Sequence, residues 1–478
     1  MKRRDFLKNS ALGMIAGSTI LESCMKVELV PVNMSVDNFS NLLTFPKEIL
    51  NPTNYAITAK KTLAKIDKNT AIEMLSYLEN SSAGPIFRIQ KGNNFGITLN
   101  NKLDEHTNIH WHGLMIPAKM DGHPNDVVHA NESFNYTFNI NQRAGTYWYH
   151  PHPHNATARQ AYLGLAGMFI VNDAEESALN LPSGEFELPL VIADKRLSGS
   201  ALQYNPTNNE VMSGYMGETI TINGTAFPYT EISSTIYRLR LLNASNARIY
   251  NIAFSENLPF TIIGSDGGLL EQSAQVTSIL LAPAERVDIL VDFGGLTIGK
   301  EIYLKSLPFS NGSKAQGRES FNMMKFVIKK AIVNTYKIPV SLSKIEKLTI
   351  SSKTRSFKMQ MKMGLSMKNM HRINNKVFDS NRVDETVKVG DIETWTFNNA
   401  SDEPHPMHVH GVQFQVNERS GGRDIQAHEK GWKDTILLLP NETAKVTMKF
   451  PDNKGKYMVH CHNLEHEDDG MMLQFEII

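Results

Sequence analysis

Cysteine is almost missing from this chain of 478 residues; only Cys24 and Cys461 occur. A fold stapled by several disulfides is therefore excluded. Net charge is missing too, because 49 Lys and Arg balance 49 Asp and Glu. That balance gives no electrostatic preference for nucleic acid, and none is expected as a partner. Beyond the N-terminus there is no apolar run long enough to span a bilayer. Histidine is absent from residues 155 to 370, whereas all sixteen histidines lie between 106 and 154 or between 371 and 466. A middle third without imidazole holds no imidazole-ligated metal, so any such centre belongs to the outer thirds.

The first residues differ from the rest. Lys2-Arg3-Arg4-Asp5-Phe6-Leu7-Lys8, followed by the short apolar stretch Ala11 to Leu21, resembles a twin-arginine export signal. Leu21-Glu22-Ser23-Cys24 resembles a lipoprotein cleavage box, with Glu22 departing from the small residues usual there. Residues 1–24 are expected to be a signal peptide that directs the chain to the periplasm or cell envelope. Lipid attachment at Cys24 and ordinary cleavage a little further on are the two readings of its end. Either way Cys461 is left as a lone thiol in an oxidising compartment, a hazard that a bound metal would remove.

The length allows about three domains. Residues 25 to 80 are polar and irregular, with a short helix expected around Thr70 to Leu78, and no task is assigned to them. From about residue 85 apolar and polar positions alternate with period two, as in Phe134, Tyr136, Phe138 and Ile140, or Ala444, Val446, Met448 and Phe450. Many short strands separated by Gly and Pro turns predict an all-β chain of sandwiches or barrels.

An internal repeat divides it further. Gly145-Thr146-Tyr147-Trp148-Tyr149-His150-Pro151-His152 aligns with Gly455-Lys456-Tyr457-Met458-Val459-His460-Cys461-His462. Each follows an earlier His-x-His-Gly, at His110 to Gly113 and at His408 to Gly411. The first and last thirds thus read as copies of one domain, and the middle third as a connector. Pro151 stands where Cys461 stands, so only the last copy can use a thiolate. The expected divisions are residues 25–175, 176–335 and 336–478.

Cys461, with His466 five residues on and Met471 ten residues on, supplies the thiolate, imidazole and weak axial thioether of a blue-copper site. His405 is the natural second imidazole. On a strand Cys461 faces opposite to His460 and His462. The four His-x-His pairs, His110/His112, His150/His152, His408/His410 and His460/His462, would converge eight imidazoles on one cavity. That is too many for one metal and suits a cluster of copper ions. A zinc hydrolase needs three or four ligands and a carboxylate base, and would leave most of these histidines without a role.

These residues, in this order, resemble the four copper-binding signatures of the three-domain multicopper oxidases, the family of laccases, bilirubin oxidase, spore-coat laccase and copper efflux oxidases. The resemblance covers roughly residues 85 to 478, and the stretches His460 to Met472 and Gly431 to Thr435 are most similar to its bacterial branch. It implies three consecutive cupredoxin-like Greek-key β-sandwich or barrel domains and four copper ions per chain. It further implies a type 1 copper on His405, Cys461, His466 and axial Met471, and a type 2 copper on His110 and His408. The type 3 pair would take His112, His150, His152, His410, His460 and His462. His154 matches a histidine of some relatives that is not a ligand.

The implied activity is one-electron oxidation of a substrate at the type 1 copper, coupled through Cys461 to four-electron reduction of dioxygen to water. Asp121 and Glu467 resemble the carboxylates that supply protons in related enzymes, although Asp121-Gly122 also reads as a turn and Glu467 as a solvated loop charge. The segment Met359 to His371 points to substrate. Its thioethers at Met359, Met361, Met363 and Met367 suit Cu(I), while its alternation with Gln and Lys reads equally as strand packing. Cu(I), phenols and related reductants are all retained as substrates of an expected monomer. The alternatives are a non-enzymatic copper-storing or structural scaffold and a copper nitrite reductase, which would normally have two domains and fewer His pairs.

Overall fold

The computed structural model describes residues 28–32, 39–333, 336–349, 351–362 and 368–478. The expected signal peptide with Cys24, and two of the four singled-out methionines, Met363 and Met367, lie outside the described residues. Among the described residues no helix is long and apolar enough to cross a membrane.

Among the described residues six sheets form three pairs. The first pair contains Tyr55–Lys65, Ala71–Ser76, Asn94–Asn101 and Ser133–Asn139 on one side, and Ile86–Gln90, Gly145–Tyr149 and Gly167–Asn172 on the other. The middle pair is built around Glu187–Lys195, Ile236–Asn243 and Arg286–Asp292, facing Pro228–Ser234, Glu301–Ser306 and Phe321–Ala331. The last pair sets Lys353–Met361, Ile392–Asn399 and Thr443–Lys449 against His405–Val409, Gly455–Cys461 and Met472–Ile477. The period-two alternation is what makes these faces. In Ser133–Asn139, Tyr136 and Phe138 are buried between exposed neighbours. In Ile392–Asn399, Trp395 and Phe397 fill the last core beside Phe357, Val446 and Phe475.

Sheets and sequence segments do not divide at the same places. Asn41–Leu42 pairs in parallel with Pro228–Tyr229 of the middle domain, while Leu197–Ser198 and Ala201–Leu202 complete a sheet of the first. The helix expected at Thr70 to Leu78 is corrected: Ala71–Ser76 is a strand, antiparallel to Lys60–Lys65. Its pattern buries Ile72 and Met74 between exposed Ala71 and Glu73, so the two-residue period and the cross-strand partner override the helical reading.

The repeat is present in three dimensions. His110 pairs antiparallel with His150, and His408 with His460. Tyr147 donates its hydroxyl to the carbonyl of Arg143 and Tyr457 donates to that of Asn453, the same reach of four residues. A buried asparagine ends the equivalent strand of every domain. Asn101, Asn243 and Asn399 each accept from the amide two residues on, and their side-chain NH₂ groups donate to the carbonyls of Glu105, Arg248 and Glu403. The middle domain is therefore a third copy of the unit that lacks the histidines.

Candidate metal centre

Cys461 ends its strand pointing toward the loop after it. Its Sγ lies 3.4 Å from His405 Nδ1 and 3.6 Å from His466 Nδ1, and those two nitrogens are 3.2 Å apart. The far edges of both rings are held: His405 Nε2–H donates to Ser401 Oγ at 2.7 Å and His466 Nε2–H to the Met212 carbonyl at 3.0 Å. Each Nδ1 is thus left as a lone pair aimed at the sulfur. All three side chains are fully buried, and Met471 is buried in the same core. Burial pushes the Cys461 thiol well up, so a thiolate there needs a compensating cation.

On the opposite side, eight imidazoles from the first and last domains face one another. His110 Nε2 and His408 Nε2 are 3.4 Å apart; His150 Nε2 and His462 Nε2, 3.3 Å; His152 Nε2 and His460 Nε2, 3.3 Å; His410 Nε2 and His460 Nε2, 3.0 Å. Their other nitrogens are largely committed. The Nδ1–H groups of His110, His408, His150 and His460 donate to the carbonyls of Asp121, Asp434, Pro151 and Cys461, and His410 donates to the Asp121 carboxylate at 2.7 Å. With the protons on those edges, the facing nitrogens are lone pairs turned on lone pairs, an arrangement that a cation between them satisfies. Among the described residues three all-imidazole ligand sets emerge, His110, His112 and His408; His112, His150 and His462; His152, His410 and His460; a fourth joins His110 and His410 to Asp121. Burial pushes His110, His112, His408, His410 and His462 well below the usual range, His150 to about 4 and His152 to about 3. Neutral imidazole is the form that binds metal.

The His-x-His pairs stand at the ends of strands and not within them. The first member is on a strand or bridge, but His112, His152, His410 and His462 come just after the ladder ends. There His410 and His462 are fixed by their amides on the carbonyls of Met458 and Pro406, and His152 by its amide on Asn108 Oδ1. His154 is exposed, outside the cluster. Glu467 lies inside it, with Oε2 3.1 Å from His460 Nδ1 and Oε1 3.5 Å from His152 Nδ1, so its reading as a solvated loop charge is overturned. Asp121 is likewise buried against His410 and His110.

Met359 is corrected. It is fully buried in the last core, as strand packing requires, and is closed to an incoming ion; Met361, at the strand end, is half-buried. Sequence reasoning assigned no role to Ser401, His371, Asp469, Asp434 or Arg286. His371 stacks on His466 with ring centroids 3.8 Å apart, and its Nδ1 is 3.0 Å from Asp469 Oδ2. The adjacent charges Lys433-Asp434 ahead of apolar Ile436 to Leu439 were the one legible sign of a buried ionic network.

Three segments of the chain, residues 58–176, 200–319 and 346–478, match the multicopper oxidase family. The multicopper oxidase of Staphylococcus haemolyticus is 36% identical over 430 residues, 89% of this chain and 88% of the relative. The chain belongs to the multicopper oxidase family. The McoA multicopper oxidase of Aquifex aeolicus superposes with a TM-score of 0.85 at 36% identity, covering 91% of this chain and 99% of that one. A Campylobacter jejuni multicopper oxidase, described as a metallo-oxidase, does so with a TM-score of 0.80 at 29% identity, over 94% and 99%. As a multicopper oxidase the chain is a copper-binding oxidoreductase of three cupredoxin-like domains. The repeat also confines the Cys461 group to the last domain. In register with His405, Cys461, His466 and Met471 the first domain has Thr107, Pro151, Ala156 and Ala161, none of them a metal ligand.

Proposed function

We propose that the protein is an exported oxidase holding four copper ions, and that it oxidises Cu(I) or a small phenolic or related reductant at the expense of dioxygen. The type 1 copper is assigned to His405, Cys461, His466 and Met471, and the type 2 copper to His110 and His408. The type 3 pair is assigned to His112, His150, His152, His410, His460 and His462. The observation that carries the reading is the pairing of unprotonated imidazole nitrogens across the first and last domains, with Cys461 between two of those histidines in the chain. Bound copper would supply one-electron acceptance beside Cys461 and four-electron reduction of dioxygen to water among the histidines.

The protein's own part is positioning, insulation and protons. Cys461 is one covalent residue from both His460 and His462, so the two centres are linked through main chain rather than through space. Every assigned ligand is at most 1% exposed, which excludes bulk water from the cluster. Glu467 stands between His152 and His460, and Asp121 beside His410, where each can pass a proton inward.

The surroundings of His466 favour a small reductant. Its ring is covered by the Met212 carbonyl and by His371, leaving no open imidazole edge for a bulky phenol. Oxygen uptake by the copper-loaded protein, with Cu(I) and with a phenol, tests this. The expected result is uptake with Cu(I) that falls selectively when Met361, Met363 and Met367 are changed to Leu. Absence of Cu(I)-driven uptake would remove the metal-oxidase reading.

A further inference from the structure

The middle domain carries no histidine, yet one of its side chains reaches the cluster. Arg286 opens the strand Arg286–Asp292 and is fully buried. Its guanidinium touches all three domains: Nε–H donates to the Thr146 carbonyl of the first at 2.9 Å, and Nη1 and Nη2 donate to the Ala284 and Asp266 carbonyls of its own at 2.9 and 3.0 Å. Nη1 also meets Asp434 Oδ1 of the last domain at 2.7 Å, while Nη2 meets Oδ2. This is the two-pronged geometry that only arginine offers a carboxylate.

Asp434 uses the grip. Its Oδ1 lies 3.0 Å from His112 Nε2, with Thr435 Oγ1 3.1 Å from the same nitrogen, and its main-chain carbonyl accepts from His408 Nδ1. His112 is the exception in the cluster. The other imidazoles with a held edge are held at Nδ1, whereas His112 is held at Nε2 and its buried Nδ1 has no hydrogen-bond partner. An acceptor fixed against Nε2 keeps the proton there and the lone pair on Nδ1. Gly113 makes the approach possible: at φ +86°, a Cβ would fall 2.5 Å from Asp434 Oδ2 and 2.8 Å from Arg286 Nη2.

Resting on the cluster assignment above, we propose that Arg286 of the middle domain is a positioning residue for the trinuclear site: through Asp434 it fixes His112 in the tautomer whose Nδ1 faces the metal. The middle domain then determines whether the His112 side of the cluster can hold copper. If the fork is lost, only the Thr435 hydroxyl, 3.0 Å from Oδ1, still orients that oxygen on His112 Nε2, and the ring proton is held there more weakly against a move to the metal-facing nitrogen.

The test compares Arg286→Lys and Asp434→Asn with wild type and with Arg240→Lys. Arg240 is an equally buried arginine between the first and middle domains that touches no histidine. The readouts are copper retained per chain against a graded chelator, the type 2 electron paramagnetic resonance signal, the blue type 1 absorption and the melting temperature. Arg286→Lys and Asp434→Asn should keep the blue band while binding cluster copper about 10–100-fold more weakly, with an altered type 2 signal. Arg240→Lys should lower the melting temperature without that selectivity. Cluster copper held as tightly as in wild type, or blue and cluster copper lost together as in a general destabilisation, would overturn the inference. A wild-type protein that takes up type 1 copper but no cluster copper would instead overturn the cluster assignment, and this inference with it.

Discussion

Glu467 shows how a single side chain divides the two halves of the reaction. It touches His152 and His460 of the proposed cluster and reaches Cys461 only through its charge at longer range, so in the proposed reaction it bears chiefly on dioxygen reduction. Glu467→Gln should lower steady-state turnover by about 100-fold or more, while anaerobic bleaching of the blue band by reductant proceeds as in wild type. Unchanged turnover would remove it from the proton path. Met471 bears on the other half. Replacing a coordinating thioether by Leu should raise the type 1 potential, measurable by redox titration of the blue band. The buried His and Cys groups proposed as ligands were legible in the sequence because each motif is local and the repeat sets Cys461 opposite Pro151. Arg286 was not, because its partner Asp434 lies 148 positions away and nothing in a linear pattern pairs an arginine of one domain with a carboxylate of another.

One of the two segments that cover the proposed type 1 site, the one carrying His371, is held by a single carboxylate. Asp469, between His466 and Met471, accepts from the main-chain amides of Asn369, Met370 and His371 at 2.7, 2.7 and 3.0 Å, and from the His371 ring. It ties the end of the methionine-bearing segment to the loop that carries His466 and Met471, two of the proposed type 1 ligands. Asp469→Ala removes these charge-assisted bonds together. Proteolysis within residues 362–370 should then accelerate, as mapped by mass spectrometry of limited digests, while the blue absorption is retained. An unchanged digest would show that packing of buried Met370 and His371 is sufficient to hold the segment. At this scale sequence reading was least reliable. Period two identified the long strands, but Ala71–Ser76 is too short for its period to be read without its partner strand Tyr55–Lys65. Nor could Met359 be separated from Met361 until the strand placed one inward and the other at its end.

Across the whole molecule, the histidine-lined interface between the first and last domains depends on how the middle domain seats both. Toward the first domain the seat is a buried ionic cluster of the middle domain: Arg238 and Arg240 meet Asp288 and Glu176, the latter at the boundary between the two domains, and Arg240 meets Glu187, while Arg88 of the first domain reaches Glu187 and Thr146 of the first domain donates to Asp288. Burial works against the charge on Glu176 and Glu187, but the arginines outweigh it and hold both carboxyls at about 2, below an ordinary value of 4.5. Groups whose folded pKa is depressed stabilise the fold above their unfolded pKa and lose that contribution as pH falls through the folded one. The seat should therefore be fully effective above about pH 5 and weaken progressively from there toward pH 2. Melting of the copper-loaded protein followed from pH 7 to pH 3 should show a steepening loss of stability below pH 5. The loss should be shallower in Arg240→Lys, which begins with less of the contribution to lose. Because the ligands proposed for the cluster come from both outer domains, type 2 and type 3 copper should be released at higher pH than type 1 copper, whose four proposed ligands all come from the last domain. Simultaneous release of all copper would mean that acid acts on the ligands themselves and not on the seating of the domains.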